Sequence, residues 1–401
     1  MPVLGAAVKR SIQDADLKGK RVLIRADFNV PLDESSRITD DTRIRESLPT
    51  IQTALSKGAS RIILMSHLGR PKGRDPQLSL KPVSDRLAEL LGRPVVQCSD
   101  CVGPAVQKEI SNFPDHKLFL LENLRFCPEE EKNDPAFAKG LACLADLYVN
   151  DAFGTSHRAH ASVDAVTRFL PSVTGLLLEK EIKYLGEVLK SPKKPFLAVL
   201  GGAKVSDKIG VVENLVHKVD RILIGGAMAY TFLKVKGVSV GSSRIEADRL
   251  GLAEEILKKA AVNKIEVLLP VDHVVVREVK ETALFETCDG AIPDGWMGVD
   301  IGPKTTKLFA QAIGEAKTVL WNGPMGIFEM KNFQNGSIGV AKAMAANHGA
   351  TTIVGGGDTA ACVQQFGLGG RMSHISTGGG ASLEYLEGKK LPGIEAIFRK
   401  A

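Results

Sequence analysis

Five arginines stand out by position. Arg25, Arg43, Arg70, Arg125 and Arg158 fall in or beside segments that read as strand ends or turns. A guanidinium is a planar fork that gives a carboxylate or phosphate two parallel charge-assisted hydrogen bonds. Taken singly, each arginine is an ordinary solvated charge, because exposed ion pairs contribute little. Converging on one mouth, they would repel each other unless an anion sat among them. His67, in SHLGRP, lies three residues before Arg70. It reads as a hydrogen-bond donor in the same pocket rather than a phosphorylated nucleophile, since no nearby motif supplies an activating base. Asp27 and Asn29, in ADFNVP, read as groups for a substrate hydroxyl or as turn formers before proline.

A second set lies in the other half. The run FLAVL ends in Gly201 and Gly202, and Val205, Ile209, Val212 and Val216 then trace one helical face. Lys204 and Lys208 are four apart, so on such a helix they project from one side and suit a polyphosphate. The alternative is a pair of solvated lysines on an amphipathic helix. GGGDTA at 355–360 follows an apolar strand and opens a helix, whose bare N–H groups attract anions. Asp358 there reads as a Mg²⁺ ligand, and both it and Thr359 could cap the helix. Glu329 reads as a ribose-binding group or a loop charge. GGGDTA also fits the dinucleotide fingerprint GxGxxA, but the acidic residue expected about 20 positions later is missing. There is no GxxxxGK[ST] loop and no HRD/DFG set.

The elements that must position these groups repeat one pattern. Short apolar runs such as 22–30, 61–70, 118–126, 147–154, 196–203, 221–227, 318–324, 351–358 and 373–380 each precede a helical stretch. Such runs predict parallel sheets covered on both faces, with ligands beyond the carboxyl ends of the strands. The first half closes its strands with Asp, Asn, His and Arg, and the second with glycines, which predicts two sites on two similar sheets. Residues 176–190 read as a connecting helix with Leu178, Ile182, Leu185 and Leu189 on one face, and SPKKP at 191–195 breaks it.

The chain has 401 residues, room for two or three domains of about 150 each. With 44% hydrophobic and 24% charged residues it is an ordinary globular composition. No apolar run approaches the roughly 20 residues of a spanning helix, and MPVLGAAVKR is not a secretory signal. A formal charge of +6, from 52 basic and 46 acidic residues, does not announce a nucleic-acid binder. Six cysteines fit a reducing compartment. Cys98 and Cys101 form a CxxC, but Cys127 and Cys143 supply no second close pair in sequence, so plain thiols are expected.

RADFNVP, SHLGRPKG, LLENLRF, YVNDAFGTSHRAHAS, GGAKVSDKIG, DGWMGVDIGP, WNGPMGIFE, GGGDTAA and SHISTGGGASLE together resemble the phosphoglycerate kinase family, in its order and over nearly the whole chain. The resemblance implies an α/β fold of two Rossmann-like lobes, each a parallel sheet covered by helices, joined by a connecting helix and hinge. It implies an N-terminal phosphoglycerate domain of residues 1–175 and 388–401, a connector at 176–195 and a nucleotide domain at 196–387. The implied reaction is reversible phosphoryl transfer from 1,3-bisphosphoglycerate to ADP, giving 3-phosphoglycerate and ATP with Mg²⁺. Carried over by motif, Asp27, Phe28, Asn29, Arg43, His67, Leu68, Gly69, Arg70, Arg125 and Arg158 would bind the phosphoglycerate. Lys208, Gly298, Glu329, Gly356, Gly357, Asp358 and Thr359 would bind the nucleotide, with Asp358 on the metal. Arg43, Lys204 and Gly357 would be catalytic. Each of these positions holds the residue the family pattern expects; Ser156, where many relatives carry Ala, is a small departure. A cytoplasmic monomer without nucleic-acid or membrane partners is expected. The rival readings are a dinucleotide-dependent oxidoreductase and a non-enzymatic relative of the same fold.

Overall fold

In the computed structural model, which describes residues 10–399, the apolar runs become strands whose alternate residues feed two cores. In β1 (Arg21–Arg25), Val22 and Ile24 join one apolar cluster and Leu23 the other. In β2 (Arg61–Met65), Ile62 and Leu64 face the first cluster, Ile63 and Met65 the second. Burial on both faces explains why these strands read as continuous rather than alternating hydrophobic runs. They pair with β3 (Val96–Gln97), β4 (Leu118–Leu120), β5 (Leu147–Asn150) and β6 (Ser172–Thr174) in the order β3-β4-β2-β1-β5-β6, all parallel. The chain leaves β1 toward β2 and later returns to its other side with β5, so β1 borders the crevice where such sheets take ligands.

A second sheet repeats the scheme. It contains β7 (Phe196–Leu200), β8 (Arg221–Ile224) and β9 (Glu266–Leu268). An antiparallel sheet of β10 (Asp272–Val276), β11 (Phe285–Asp289) and β12 (Met297–Ile301) intervenes in sequence. The parallel sheet is completed by β13 (Thr318–Asn322), β14 (Thr351–Gly355) and β15 (His374–Ile375), in the order β15-β14-β13-β7-β8-β9. Here the order reverses around β7.

The residues form two compact units, one reaching Lys183 and resuming at Lys390, the other running from Tyr184 to Lys389. The division falls inside the helix Leu176–Lys190. Leu178, Ile182 and Leu185 are buried as expected, but the face continues through buried Val188, while Leu189 is half-buried. The returning tail is fastened within the first unit. Gly393 N donates to Ser156 O at 2.9 Å, Asn150 Nδ2 donates to Gly393 O at 3.1 Å, and Arg399 reaches Asp164 Oδ1 at 2.9 Å. Among the described residues no helix is long and apolar enough to cross a membrane.

Candidate functional site

In the first unit the site grows from the carboxyl ends of β1 and β2. Arg25, the last residue of β1, is buried; its Nε donates to Ser162 Oγ at 2.9 Å, and its Nη2 lies 3.2 Å from His67 Nδ1. Ser162 is held in turn by buried Glu130, which accepts from its N–H at 2.9 Å and its hydroxyl at 2.5 Å. A guanidinium has no acceptor, so His67 Nδ1 must accept and its proton must sit on Nε2. Burial, then the charges of Arg25, Arg125, Arg43 and Arg158, hold this imidazole well below its ordinary pKa. His67 is therefore a neutral donor at working pH. The same surroundings pull His160 down to about 4, burial leading and Arg25, Arg125 and Arg158 following. Burial also lowers the Arg125 guanidinium; Arg158, Arg25 and Arg70 lower it further, against Glu131. The arginines do converge, and they repel one another.

Their supports are local. Arg43, in the first turn of the helix Thr42–Ser56, donates to Asp27 Oδ2 at 2.9 Å. Asp27 Oδ1 accepts from Asn29 N at 3.2 Å, and Asn29 Oδ1 from Gly69 N at 2.9 Å. These bonds give Asp27 and Asn29 the turn-forming role. Arg125 donates to the Gly69 carbonyl and faces Glu131 at 3.3 Å. Arg70 is exposed and Arg158 half-buried. Phe28 and Leu68, carried over as ligand residues, are core side chains here. Phe28 N donates to Ser66 Oγ at 2.8 Å, while Leu68 exchanges two hydrogen bonds with the Asn123 amide at 3.2 and 2.8 Å. They support the turns rather than offering side chains to a ligand. Ser156 is buried and donates to Ala152 O at 2.9 Å, so its extra hydroxyl is satisfied.

The second unit builds its site from main chain. The turns after β7, β8 and β13 lie on one another: Gly202 N donates to Pro324 O at 2.9 Å, Gly226 N to Met325 O at 3.0 Å, and Gly201 N to Asn322 O at 3.0 Å. A Cβ on Gly323, at φ +100°, would stand 2.2 Å from Gly201 O. Only glycine permits that approach. Gly356, at φ +87°, precedes the helix Gly357–Gln365, whose first turn holds exposed Asp358. Thr359 is buried, and its hydroxyl accepts from Gly323 N at 2.7 Å, tying this helix to the glycine stack.

The lysines differ from the expected pattern. Lys204 precedes a 3₁₀ turn, Ser206–Lys208, and the α-helix starts only at Ile209. Lys204 is exposed in a loop, whereas Lys208 is half-buried and donates to Asn322 Oδ1. Burial lowers the Lys208 ammonium, opposed by Asp207 and Asp358. The macrodipole conflict of two lysines at a helix start is thereby reduced. Glu246 secures the loop, accepting from Val205 N, from Ser206 N at 3.1 Å and from Ser206 Oγ at 2.6 Å. Glu329 is exposed, and it adds to the burial that pushes the Cys362 thiol up to about 12. Gly298 lies on β12, where a Cβ would stand 1.9 Å from the Tyr230 hydroxyl. Its N–H donates to Ser243 Oγ at 2.9 Å. Asp358 offers one exposed carboxylate beside Lys208, outside any three-donor group found among the described residues. That fits a Mg²⁺ ion arriving on a polyphosphate, which needs few protein ligands.

Sequence reading missed three supporting residues. Glu246 carries no local signal. Asn322 ends the apolar run TVLWN, just as Asn150 ends LYVN; a fully buried polar residue closing such a strand was the available clue. The Asn322 Nδ2 has no hydrogen-bond partner among the described residues. Glu130 is hidden in the acidic run EEE.

Doubly wound sheets ending in an arginine cluster and in a glycine–lysine cradle define a two-domain small-molecule kinase. The phosphoglycerate kinase family model matches residues 12–389. A phosphoglycerate kinase of Dictyoglomus turgidum is 57% identical over 390 residues, covering 97% of this chain and 98% of the relative. A cytosolic phosphoglycerate kinase of Triticum aestivum is 55% identical over 398 residues, with 98% and 99% covered. The solved structure of phosphoglycerate kinase from Coxiella burnetii superposes with a TM-score of 0.86 at 40% identity, covering 97% of this chain and 98% of that one. The chain belongs to the phosphoglycerate kinase family. It transfers a phosphoryl group reversibly between 1,3-bisphosphoglycerate and ADP, and nothing in these relatives supports a dinucleotide-dependent oxidoreductase.

Proposed function

We propose that the arginine cluster of the first unit seats 3-phosphoglycerate and 1,3-bisphosphoglycerate, and that the glycine–lysine cradle of the second seats ADP and ATP with Mg²⁺. The observation that carries this reading is the set of four arginines acting on one neutral histidine. Their mutual repulsion is what a bound phosphate or carboxylate relieves. His67 donates from Nε2, Asp27 and Asn29 hold the turns, and Gly69, Arg70, Arg125 and Arg158 complete the anion site. Lys208, Gly298, Glu329, Gly356, Gly357, Asp358 and Thr359 hold the nucleotide, with the buried Asn322 amide added to the set.

The reacting oxygen of the acid is a carboxylate or acyl-phosphate oxygen, so no general base is needed. Positioning and charge stabilisation carry the catalysis. Lys204 and Arg43 neutralise charge on the transferring group, and the Gly357 amide, unsatisfied within its own helix, donates to it. Asp358, with the nucleotide, would hold Mg²⁺, which would supply further positive charge at the phosphate oxygens. Excluding water protects the acyl phosphate, so the connector at 176–195 is proposed to let residues 1–175 with 388–401 close on 196–387 when both ligands are bound. A smaller radius of gyration in the doubly liganded protein is expected, and an unchanged one contradicts closure. The protein is proposed to act as a cytoplasmic monomer that binds no nucleic acid.

The direct test is ATP formation from 1,3-bisphosphoglycerate and ADP, with Arg158→Ala and Lys204→Ala alongside. Arg158→Ala should raise KM for the acid and leave KM for ADP unchanged. If both constants rise equally, the assignment of one ligand to each unit is wrong.

A further inference from the structure

We propose that Cys101 and Cys127 form a reversible dithiol–disulfide pair whose closure displaces the Arg125 turn and weakens binding at the acid site of the first unit. The two are 26 positions apart in sequence, and the CxxC spacing favours Cys98 as the partner of Cys101. The fold chooses otherwise. The sulfurs of Cys101 and Cys127 and a carboxylate oxygen of Asp100 all lie within 4.8 Å of one another. Cys98 is absent from this group, and burial pushes its thiol up to about 12.

The pair is asymmetric in the way that thiol chemistry requires. Cys101 is fully buried, while Cys127 is half-buried and reachable from solvent. A hydrogen bond from Cys101 lowers the Cys127 thiol, outweighing burial and the nearby Asp100 and Glu129, with help from Arg74. The same bond, followed by burial, raises Cys101. The Cys101 S–H also has an acceptor in Glu122 O, 3.1 Å away. An accessible low-pKa thiol beside a buried protonated one is the arrangement of an attacking and a resolving cysteine.

With a peroxide as oxidant the step balances. The Cys127 thiolate attacks one oxygen of H₂O₂, forming a sulfenic acid and releasing hydroxide. Cys101 then attacks that sulfur; the S–S bond forms, the S–O bond breaks, and the Cys101 proton leaves with the hydroxyl as water. A small dithiol reverses the reaction and is itself oxidised to a disulfide.

The consequence follows from what Cys127 holds. Its N–H donates to Leu124 O at 3.1 Å and closes the turn that carries Arg125. It also precedes the short helix Pro128–Glu131. Glu131 there faces Arg125, and Glu130 braces Ser162 against Arg25. The loops are already tied, since Glu122 N donates to Asp100 O at 3.3 Å. Disulfide closure then needs the sulfurs to approach to about 2.05 Å. The movement is borne by the Cys127 end, which is the less buried one.

This rests on the reading of the arginine cluster as the phosphoglycerate site, and the test separates the two. The full-length protein is treated with hydrogen peroxide, digested without reduction and mapped by mass. In parallel, 3-phosphoglycerate binding is measured by calorimetry for reduced protein, oxidised protein, Cys127→Ser, Cys101→Ser and Arg158→Ala. A Cys101–Cys127 cross-link is expected, with about tenfold weaker binding, the effect of displacing one charge-assisted hydrogen bond. A dithiol should restore it, and neither serine variant should form the cross-link. The proposal is overturned by a Cys98–Cys101 link, by Cys127 sulfinic acid without a cross-link, by a cross-link that leaves binding unchanged, or by thiols that one equivalent of Zn²⁺ shields as a metal site. Unchanged binding in reduced Arg158→Ala would instead remove the site assignment, whatever the cross-link map shows.

Discussion

The arginine site of the first unit and the glycine cradle of the second use opposite materials. The first is made of long side chains that repel each other and are held by Ser162, Asp27 and carbonyl oxygens. The second is made of main chain pressed so closely that a single Cβ does not fit at Gly201, Gly226 or Gly323. A side-chain site can lose one member and still fold, because its strain lies in charge repulsion. A main-chain site cannot be trimmed, because its geometry is the fold itself. Function and stability should therefore separate in the first unit and fail together in the second.

The largest effect is expected at Lys204, an exposed side chain of the cradle. Lys204→Ala should lower kcat on the order of 10²–10³-fold, the loss typical of one donor to a transition state, with nucleotide affinity changed modestly. Equal losses in both would make Lys204 a ground-state binder. Next, Gly323→Ala should cost at least about 2 kcal/mol of stability, measured by denaturant unfolding, because it combines a strained φ with a backbone clash. An undiminished unfolding midpoint would mean the stack can open. Arg158→Ala should weaken 3-phosphoglycerate binding about tenfold, as for one lost charge-assisted bond, while its unliganded melting temperature stays level or rises. A fall in melting temperature would show that this arginine braces the fold.

The smallest effect is a slope. Each unit holds a buried carboxyl pushed up to about 7 chiefly by burial: Asp151, which accepts from Leu177 N and Leu178 N, and Asp300, which accepts from Ile301 N and Gly336 N. A raised folded-state pKa means the stabilising contribution is complete below the unfolded value of 3.8 and disappears as pH rises through about 7. Asp300→Asn should therefore remove part of the stability loss between those limits, Asp151 supplying the rest. A variant that retains the full slope would place the titration elsewhere.

Much of this was legible in the chain. All nine apolar runs contain strands, because strands buried on both faces leave an unbroken hydrophobic signature. Six strands were missed. Of these, β10, DHVVV, and β12, MGVDI, form the small antiparallel sheet and lie outside every run read as a strand, although β10 is buried throughout. The strands β3, β6 and β9 are two or three residues long at sheet edges, and β11, FETCD, is mostly exposed. Neither of these last two kinds has a hydrophobic period to read. The arginines were visible as a set, but their convergence on His67 was not, nor was the bracing by Glu130. The lysines were read as one face of a helix, and a 3₁₀ turn pinned by Glu246 separates them instead.

By itself, then, the sequence determined the sheets, the glycine turns and the residue types at the strand ends, since these follow from local period and from the absence of a side chain. Tertiary structure alone decided which nitrogen of His67 carries its proton, which lysine is half-buried, and that Cys101 meets Cys127. Those outcomes depend on atoms brought together from distant positions, where burial and charge act through space and leave no trace in the order of residues.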